Sequence, residues 1–291
     1  MSTVTSESSP TTTSPDEESD RDEDEHRRRW IRRAVRSAVG TYLPAIVLFF
    51  SLILIWQLVA YFSGIRDYVL PEPSQILVTG WQERADLFSH ARVTFREVIT
   101  GFVIAVSIGW VTAVLISQSK IAERGIYPLV IASQTIPVLA IAPILLIWFG
   151  FGIASKVVVV ALISYFPVVI NTVAGMKSVD RDALYLMQSL GGSRASAFRR
   201  VTLPASMPYF FTGVKQASVI SVIGAIAGEW VGASRGLGPV MIAANSYLRT
   251  ELVFAAMLFL SLMAMFMFVT TSIIERLTLR WYFITKEQRT E

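Results

Sequence analysis

The 291-residue chain has no cysteine, which excludes a disulfide framework and any thiolate metal site. It has two histidines, His26 and His90, set far apart in the sequence and both expected in water, so no cluster of metal ligands is expected. Charge is also scarce. Only 16% of residues are Asp, Glu, Lys or Arg, against about a quarter in a typical soluble domain. The acids that are present, such as Asp67, Glu72, Glu83 and Asp86, are scattered and need only solvation. No catalytic triad or paired carboxylate stands out, and no stretch has the form GxxxxGK[ST], the backbone cradle for nucleotide phosphates. The sequence therefore offers neither an enzyme active site nor a nucleotide-hydrolysing one.

What is abundant is apolar: 53% of residues are hydrophobic and the mean hydropathy is +0.53. These residues are bunched into uncharged runs at 42–64, 98–117, 125–155, 157–176 and 252–274. About 20 apolar residues carry a helix across a bilayer, and helices satisfy every backbone group internally. None of the runs alternates as a barrel strand would. A sixth run, Pro208 to Val231, is apolar except for Lys215 near its start and Glu229 near its end. Both charges are expected to reach water at the two interfaces. The expected fold is an all-α polytopic membrane protein with spans at about 42–63, 94–117, 126–150, 157–176, 208–231 and 252–274.

Residues 1–26 are Ser, Thr, Pro, Asp and Glu with almost nothing apolar, and read as a disordered acidic tail. Residues 27–41 are Arg-rich, with Trp30, Ile31 and Val35 spaced as one helical face, and read as a helix lying on an anionic leaflet. The first apolar run starts too late and runs too long for a cleaved signal peptide. With the N-terminus in the cytoplasm, eighteen Lys and Arg fall in inside segments and seven in outside segments. That asymmetry places both termini, including the 283–291 tail, inside. The net charge of +4 thus serves topology, and no nucleic-acid partner is implied.

Between the fourth and fifth spans lies the cytoplasmic segment 177–207, KSVDRDALYLMQSLGGSRASAFRRVTLPASM. Asp180 or Asp182 can cap a helix whose apolar face is Ala183, Leu184, Leu186, Met187 and Leu190. Gly191-Gly192 ends or turns it. Ser193 can cap a second helix with Ala197, Phe198 and Val201 on one side and Arg194, Arg199 and Arg200 largely on the other. Pro204 is expected to break the chain before the next span. The result is an apolar ridge with a basic rim, suited to a groove on another protein. The same pattern also suits a loop resting on the membrane surface.

The spacing of Gly191, nine residues, Val201, one residue, Leu203-Pro204 resembles the cytoplasmic signature of binding-protein-dependent ABC importer permeases. Tyr185, Leu186 and Met187 occupy the Glu-Ala-Ala positions of that signature, so its acid is missing. The stretches SQTIPVLAIAPILLIWFGFG (133–152), SYFPVVINTVAGMKSVD (164–180) and GEWVGASRGLGPVM (228–241) are similar to segments of the nitrate, sulfonate and taurine permease group, which also includes thiamine-precursor and riboflavin permeases. The resemblance covers roughly residues 40–282. It implies six transmembrane helices of the type I ABC importer permease fold, with a coupling helix between helices 4 and 5. It also implies a subunit that is no enzyme and binds no cofactor itself. ATP would be hydrolysed by an ATPase dimer, with a second permease copy or paralogue, an extracytoplasmic substrate-binding protein and membrane lipid as further partners. The coupling residues it implies are Tyr185, Leu186, Met187, Gly191, Val201, Leu203 and Pro204. The alternatives are a secondary carrier, which would show inverted repeats and buried ion-coupling acids, or a polytopic intramembrane enzyme, which would show reactive groups at membrane depth.

Polar groups within spans are costly and mark functional positions. Gln134 and Asn171 lie in the third and fourth spans, and Pro137 and Pro143 are expected to bracket an unwound or kinked stretch. Together with Glu229 and Trp230 they are candidates to line a translocation pathway. Helix-to-helix hydrogen bonding would equally account for the amides. Glu229-Trp230 would equally read as an outer gate, a docking surface or an interfacial anchor. The ERLTLRWYF stretch (275–283) reads as a plain inner anchor.

Overall fold

The structure, a computed structural model, describes residues 43–282. The acidic tail (1–26), the basic segment (27–41) and the 283–291 tail lie outside the described residues. The first helix, α1, spans Leu43–Phe62; it is apolar throughout and long enough to cross a bilayer. It forms one unit, and the residues from Ile65 onward form another.

The second unit begins with α2 (Pro73–Gln82), opened by a proline in its first turn, where the missing N–H has no intrahelical partner to lose. Next come α3 (Arg84–Gln118), α4 (Lys120–Ser133), α5 (Val138–Phe149) and α6 (Ile153–Lys177). The short α7 (Arg181–Ser189) and α8 (Arg194–Ala197) follow, then α9 (Leu203–Trp230), α10 (Leu237–Ser246) and α11 (Thr250–Thr278). Four of these helical stretches are long and apolar enough to cross a membrane, and α4 with α5 can form a fifth crossing only as a broken pair.

The core is α6 packed between α3 and α9. Small residues make this approach possible. On α3, Gly101, Ala105, Gly109 and Ala113 recur every fourth residue and are all buried. A Cβ on Gly101 would lie 2.6 Å from the Val160 side chain. On α9, Gly213, Ala217, Ser221 and Ala225 repeat the same spacing, and a Cβ on Gly213 would lie 2.5 Å from the Pro167 carbonyl. In lipid no hydrophobic force separates helix from solvent, so close backbone packing of this kind holds the bundle together. Large apolar side chains accordingly face outward, as Leu262, Met265, Phe266 and Val269 do on α11.

Two expectations are corrected, the place of the break in the third span and the effect of Pro204. Within the third span α4 and α5 meet at a bend of 100°. The break precedes Pro137 rather than lying between Pro137 and Pro143. Gln134, Thr135 and Ile136 tighten into three-residue hydrogen-bonded turns, and Pro137 (φ −64°, ψ 117°) is the extended residue from which α5 starts. Pro143 sits inside α5, where it leaves the Leu139 carbonyl without its helical donor while the helix continues. Finally, Pro204 does not break the chain. Arg194–Trp230 is one continuous 37-residue helical rod. A π-helical turn at Phe198–Thr202 shifts the register, so that the Leu203 N–H donates to the Phe198 carbonyl, and Pro204 falls in the first turn of α9. The widened turn absorbs the donor that proline lacks.

Candidate functional site

The helix pair between α6 and α9 is built from local capping. Asp180 accepts from the Asp182 N–H at the start of α7 (2.9 Å), and Ser193 accepts from the Ser196 N–H at the start of α8 (3.2 Å). The turn between them needs both of its glycines, for different reasons. Gly191 has φ +79°, a conformation that a side chain disfavours, yet open space surrounds it. The Gly192 N–H donates to the Met187 carbonyl (2.9 Å), and a Cβ there would lie 2.6 Å from that same oxygen. This is a Schellman-type closure of α7.

The consequence is a sharply presented surface. Tyr185, Leu186 and Leu190 are 64%, 61% and 77% exposed and form a ridge that nothing among the described residues covers. Met187 is half-buried beneath them, and the exposed Arg194, Arg199 and Arg200 follow along the next helix. Val201, Leu203 and Pro204 are half-buried in the π-turn and the first turn of α9. The seven expected coupling residues thus fall on one exposed helix, one rigid turn and the root of a rod. At 1.5 Å per residue that rod is roughly 55 Å long.

A second site lies at the opposite end of the same rod, and the sequence reading missed most of it. Glu229 does not reach water. It is 1% exposed, and its Oε1 accepts from the Thr94 hydroxyl (2.6 Å) while Oε2 accepts from the Gly238 N–H (2.5 Å). The Leu237 N–H donates to Thr94 Oγ1 (3.0 Å), and the Gly236 N–H donates to His90 Nδ1 (3.1 Å). Three consecutive amides at the start of α10 are therefore bound by side chains of α3 and α9. His90, expected in water, is instead part of this staple, and its other nitrogen lies 3.6 Å from Asp86. Gly236, at φ +127°, adopts the backbone that lets the amides turn inward, and Glu229 occupies the space a side chain there would need.

Glu97, 3% exposed, borders this cluster beside Glu229, and its Oε2 has no hydrogen-bond partner. Lys156, 2% exposed, donates to the Phe151 and Gly232 carbonyls (2.9 and 3.3 Å). Glu97 falls inside the expected span 94–117 but was not singled out. The signal that could have found it is helical spacing, because His90, Thr94, Glu97 and Gly101 share one face of α3.

The remaining polar residues are dispersed. Asn171 Nδ2 donates to the Pro167 carbonyl (2.8 Å) and to Gln216 Oε1 (3.1 Å), joining α6 to α9. Gln134 and Pro137 are exposed at the α4–α5 bend, Pro143 is exposed within α5, and Trp230 is 48% exposed. An apolar cavity of about 450 Å³ between α3, α4 and α6, lined by Ile104, Ile108, Val157, Leu162 and Tyr165 among others, includes none of them. Lys215 donates to Glu275 Oε2 (2.7 Å) with both side chains mostly buried, so the last helix is tied to α9 and is more than an anchor. On the loop before α11, Arg249 pairs with Glu83 (3.0 Å), which gives one of the scattered acids a partner and raises the already high pKa of the guanidinium.

Residues 97–281 match the sequence model of the binding-protein-dependent transport system inner membrane component. The chain is 35% identical over 240 residues to the formylaminopyrimidine transport permease protein ThiX of Halalkalibacterium halodurans, covering 82% of this chain and 96% of that protein. It is 33% identical over 252 residues to the riboflavin transport system permease protein RibX of Chloroflexus aurantiacus, covering 85% of this chain and 94% of the relative. In fold it is similar to a chain of the MetNI methionine ABC transporter in an inward-facing conformation. There the TM-score is 0.52 and the identity 18%, over 67% of this chain and 95% of that one.

Proposed function

Since the chain belongs to the family of binding-protein-dependent transport system inner membrane components, we propose that it works as the permease half of an ATP-driven importer, moved by the ridge between α6 and α9. Tyr185, Leu186 and Leu190 seat in a groove on an ATPase subunit, and Arg194, Arg199 and Arg200 rim the contact. The observation that carries this reading is an uncovered apolar ridge mounted at the root of a continuous rod. A push on the ridge reaches the far end of α9 because no flexible joint intervenes. Where other family members carry an acid, this chain has Tyr185, so its ATPase contact is apolar at that position.

Two copies of the chain, or this chain with a paralogue, enclose the pathway, and an extracytoplasmic binding protein delivers the solute. The protein is multi-pass in the inner membrane, with both termini in the cytoplasm, where most of its arginines lie. Gln134, Asn171 and the α4–α5 bend supply polar groups along the pathway. The relatives named for formylaminopyrimidine and riboflavin favour a pyrimidine or vitamin precursor as cargo, ahead of a nitrate, sulfonate or taurine-like anion. ATP is hydrolysed by the partner alone.

The test replaces Gly191 with valine. Open space at Gly191 predicts no clash, and the positive φ predicts a cost of about 1–2 kcal/mol, so the chain inserts and assembles. Vesicle uptake driven by ATP, in complex with the ATPase and binding protein, should fall to background while ATPase association persists. Normal uptake by an assembled G191V complex would refute the coupling role. Uptake by the purified chain without any ATPase would favour a secondary carrier.

A further inference from the structure

A pocket of about 250 Å³ opens where the first half of α3 meets the loop before α10, lined by Ala85, Phe88, Ser89, Arg92, Val93, Arg96 and Arg235. We propose that this pocket is a binding site for a phosphate-type oxyanion, and that the phosphate of an anionic lipid headgroup is its resident ligand.

Three arginines line the pocket and no acid does. Arg92 and Arg96 stand four apart on one face of α3, a like-charge spacing that costs a helix stability unless something neutralises it. None of the three forms an ion pair among the described residues; Arg92 lies over the Phe88 ring at 5.4 Å. Acids close by are already engaged or face elsewhere: Asp86, on the same helix, lies 3.6 Å from His90. Glu229 has both oxygens engaged by Thr94 and Gly238. Glu97 lines an adjoining pocket of about 220 Å³, which shares Val93 and Arg235 with this one.

The fold also holds the third arginine in place. Arg235 immediately precedes the three amides of 236–238, which are tied to His90, Thr94 and Glu229. The loop is thereby fixed against α3, and Arg235 is carried to the side of Arg92 and Arg96. Guanidinium forks present paired donors that match phosphate oxygens.

The uncharged run of α3 starts at Val98. Arg96 and Arg92 precede it by roughly 3 and 9 Å along the axis, and the headgroup layer is about 5–8 Å thick on each side of the hydrocarbon. Arg96 therefore sits at the level of the lipid phosphates, with Arg92 at the outer edge of the headgroup layer.

The experiment uses the full chain, purified in uncharged detergent and stripped of lipid. Native mass spectrometry follows titration with phosphatidylglycerol or phosphatidylcholine, and calorimetry follows titration with sodium phosphate. The variants are R92Q/R96Q/R235Q, the charge-preserving R92K/R96K/R235K, and R66Q/R124Q/R280Q as a control for equal charge loss elsewhere. The expected result is one phosphatidylglycerol per chain, bound at least about tenfold more tightly than phosphatidylcholine, and a preference lost in the glutamine variant, reduced in the lysine variant and kept in the control. Phosphatidylglycerol that resists excess phosphate identifies the lipid as the ligand. Saturable phosphate binding that needs the same arginines, with no lipid preference, keeps the anion site and assigns it to a soluble oxyanion. Equal binding by wild type and the glutamine variant, or no binding of either probe to wild type, overturns the proposal. So does loss in the control to the same extent.

Discussion

Replacing Glu229 with glutamine isolates what the buried staple contributes. The carboxylate accepts two hydrogen bonds, from the Thr94 hydroxyl at 2.6 Å and the Gly238 N–H at 2.5 Å. Glutamine has the same shape but only one acceptor, so its NH₂ group must face one of the two donors. One charge-assisted bond is lost and one buried donor is orphaned, at a combined cost of about 2–3 kcal/mol. Glu229→Leu removes both acceptors and should cost about twice that. The damage should be local, because Gly236, Leu237 and Gly238 all hang from the same cluster. Hydrogen–deuterium exchange over residues 233–242 reads it directly. At about 1.4 kcal/mol per tenfold, the Gly238 amide should exchange roughly 30- to 150-fold faster in E229Q. Glu251→Gln, in the first turn of α11, should leave these amides unchanged. If E229Q exchanges there as wild type does, the two bonds contribute nothing and the staple is not what orders α10.

Other outcomes follow from the same geometry. Glu275→Gln leaves the mostly buried Lys215 ammonium without its carboxylate and should cost about 2 kcal/mol in thermal denaturation, less than a fully buried pair would because Lys215 keeps some access to water; the exchange K215E/E275K should recover at least half, and no recovery would show that the two sites do not interact. Gly213→Val places a branched side chain where even a Cβ would be 2.5 Å from the Pro167 carbonyl, so α6 and α9 must part; the variant should aggregate on size exclusion, and a wild-type profile would refute the close packing. Leu186→Asp puts a charge on the uncovered ridge and should reduce co-purification of the ATPase at least tenfold without lowering the yield of inserted chain, whereas undiminished co-purification would place the ATPase contact elsewhere.

Local chemistry made much of this legible in advance. The turn at Gly191-Gly192 and the caps at Asp180 and Ser193 are short-range devices, each decided by a side chain and the amides beside it, and all form where the spacing expects them. The long apolar runs became helices because lipid leaves no other way to pair the backbone. The errors came where two elements compete or meet. Pro137, Pro143 and Pro204 carry the same local signal. One starts a helix after a bend, one sits inside a helix, and one is absorbed by a π-helical turn. Which of these happens depends on what packs around the freed carbonyl. Glu229 looked like a charge near an interface, yet it is buried, since sequence distance along a helix reports depth but not which way the side chain turns.

The sequence by itself determined that this chain crosses a membrane as helices, which family it belongs to, and that an apolar ridge with a glycine turn precedes α9. Those properties depend on composition and on residues within one or two turns of each other. Only the tertiary structure decided that α8 and α9 are one rod, that Glu229 and Thr94 hold the start of α10, that Lys215 meets Glu275, and that three arginines from two elements share a pocket. The last three rest on pairings 60 to 143 positions apart, Lys215 with Glu275, Thr94 with Glu229 and Arg92 with Arg235, and an interaction between such residues exists only once helix packing has fixed which faces meet.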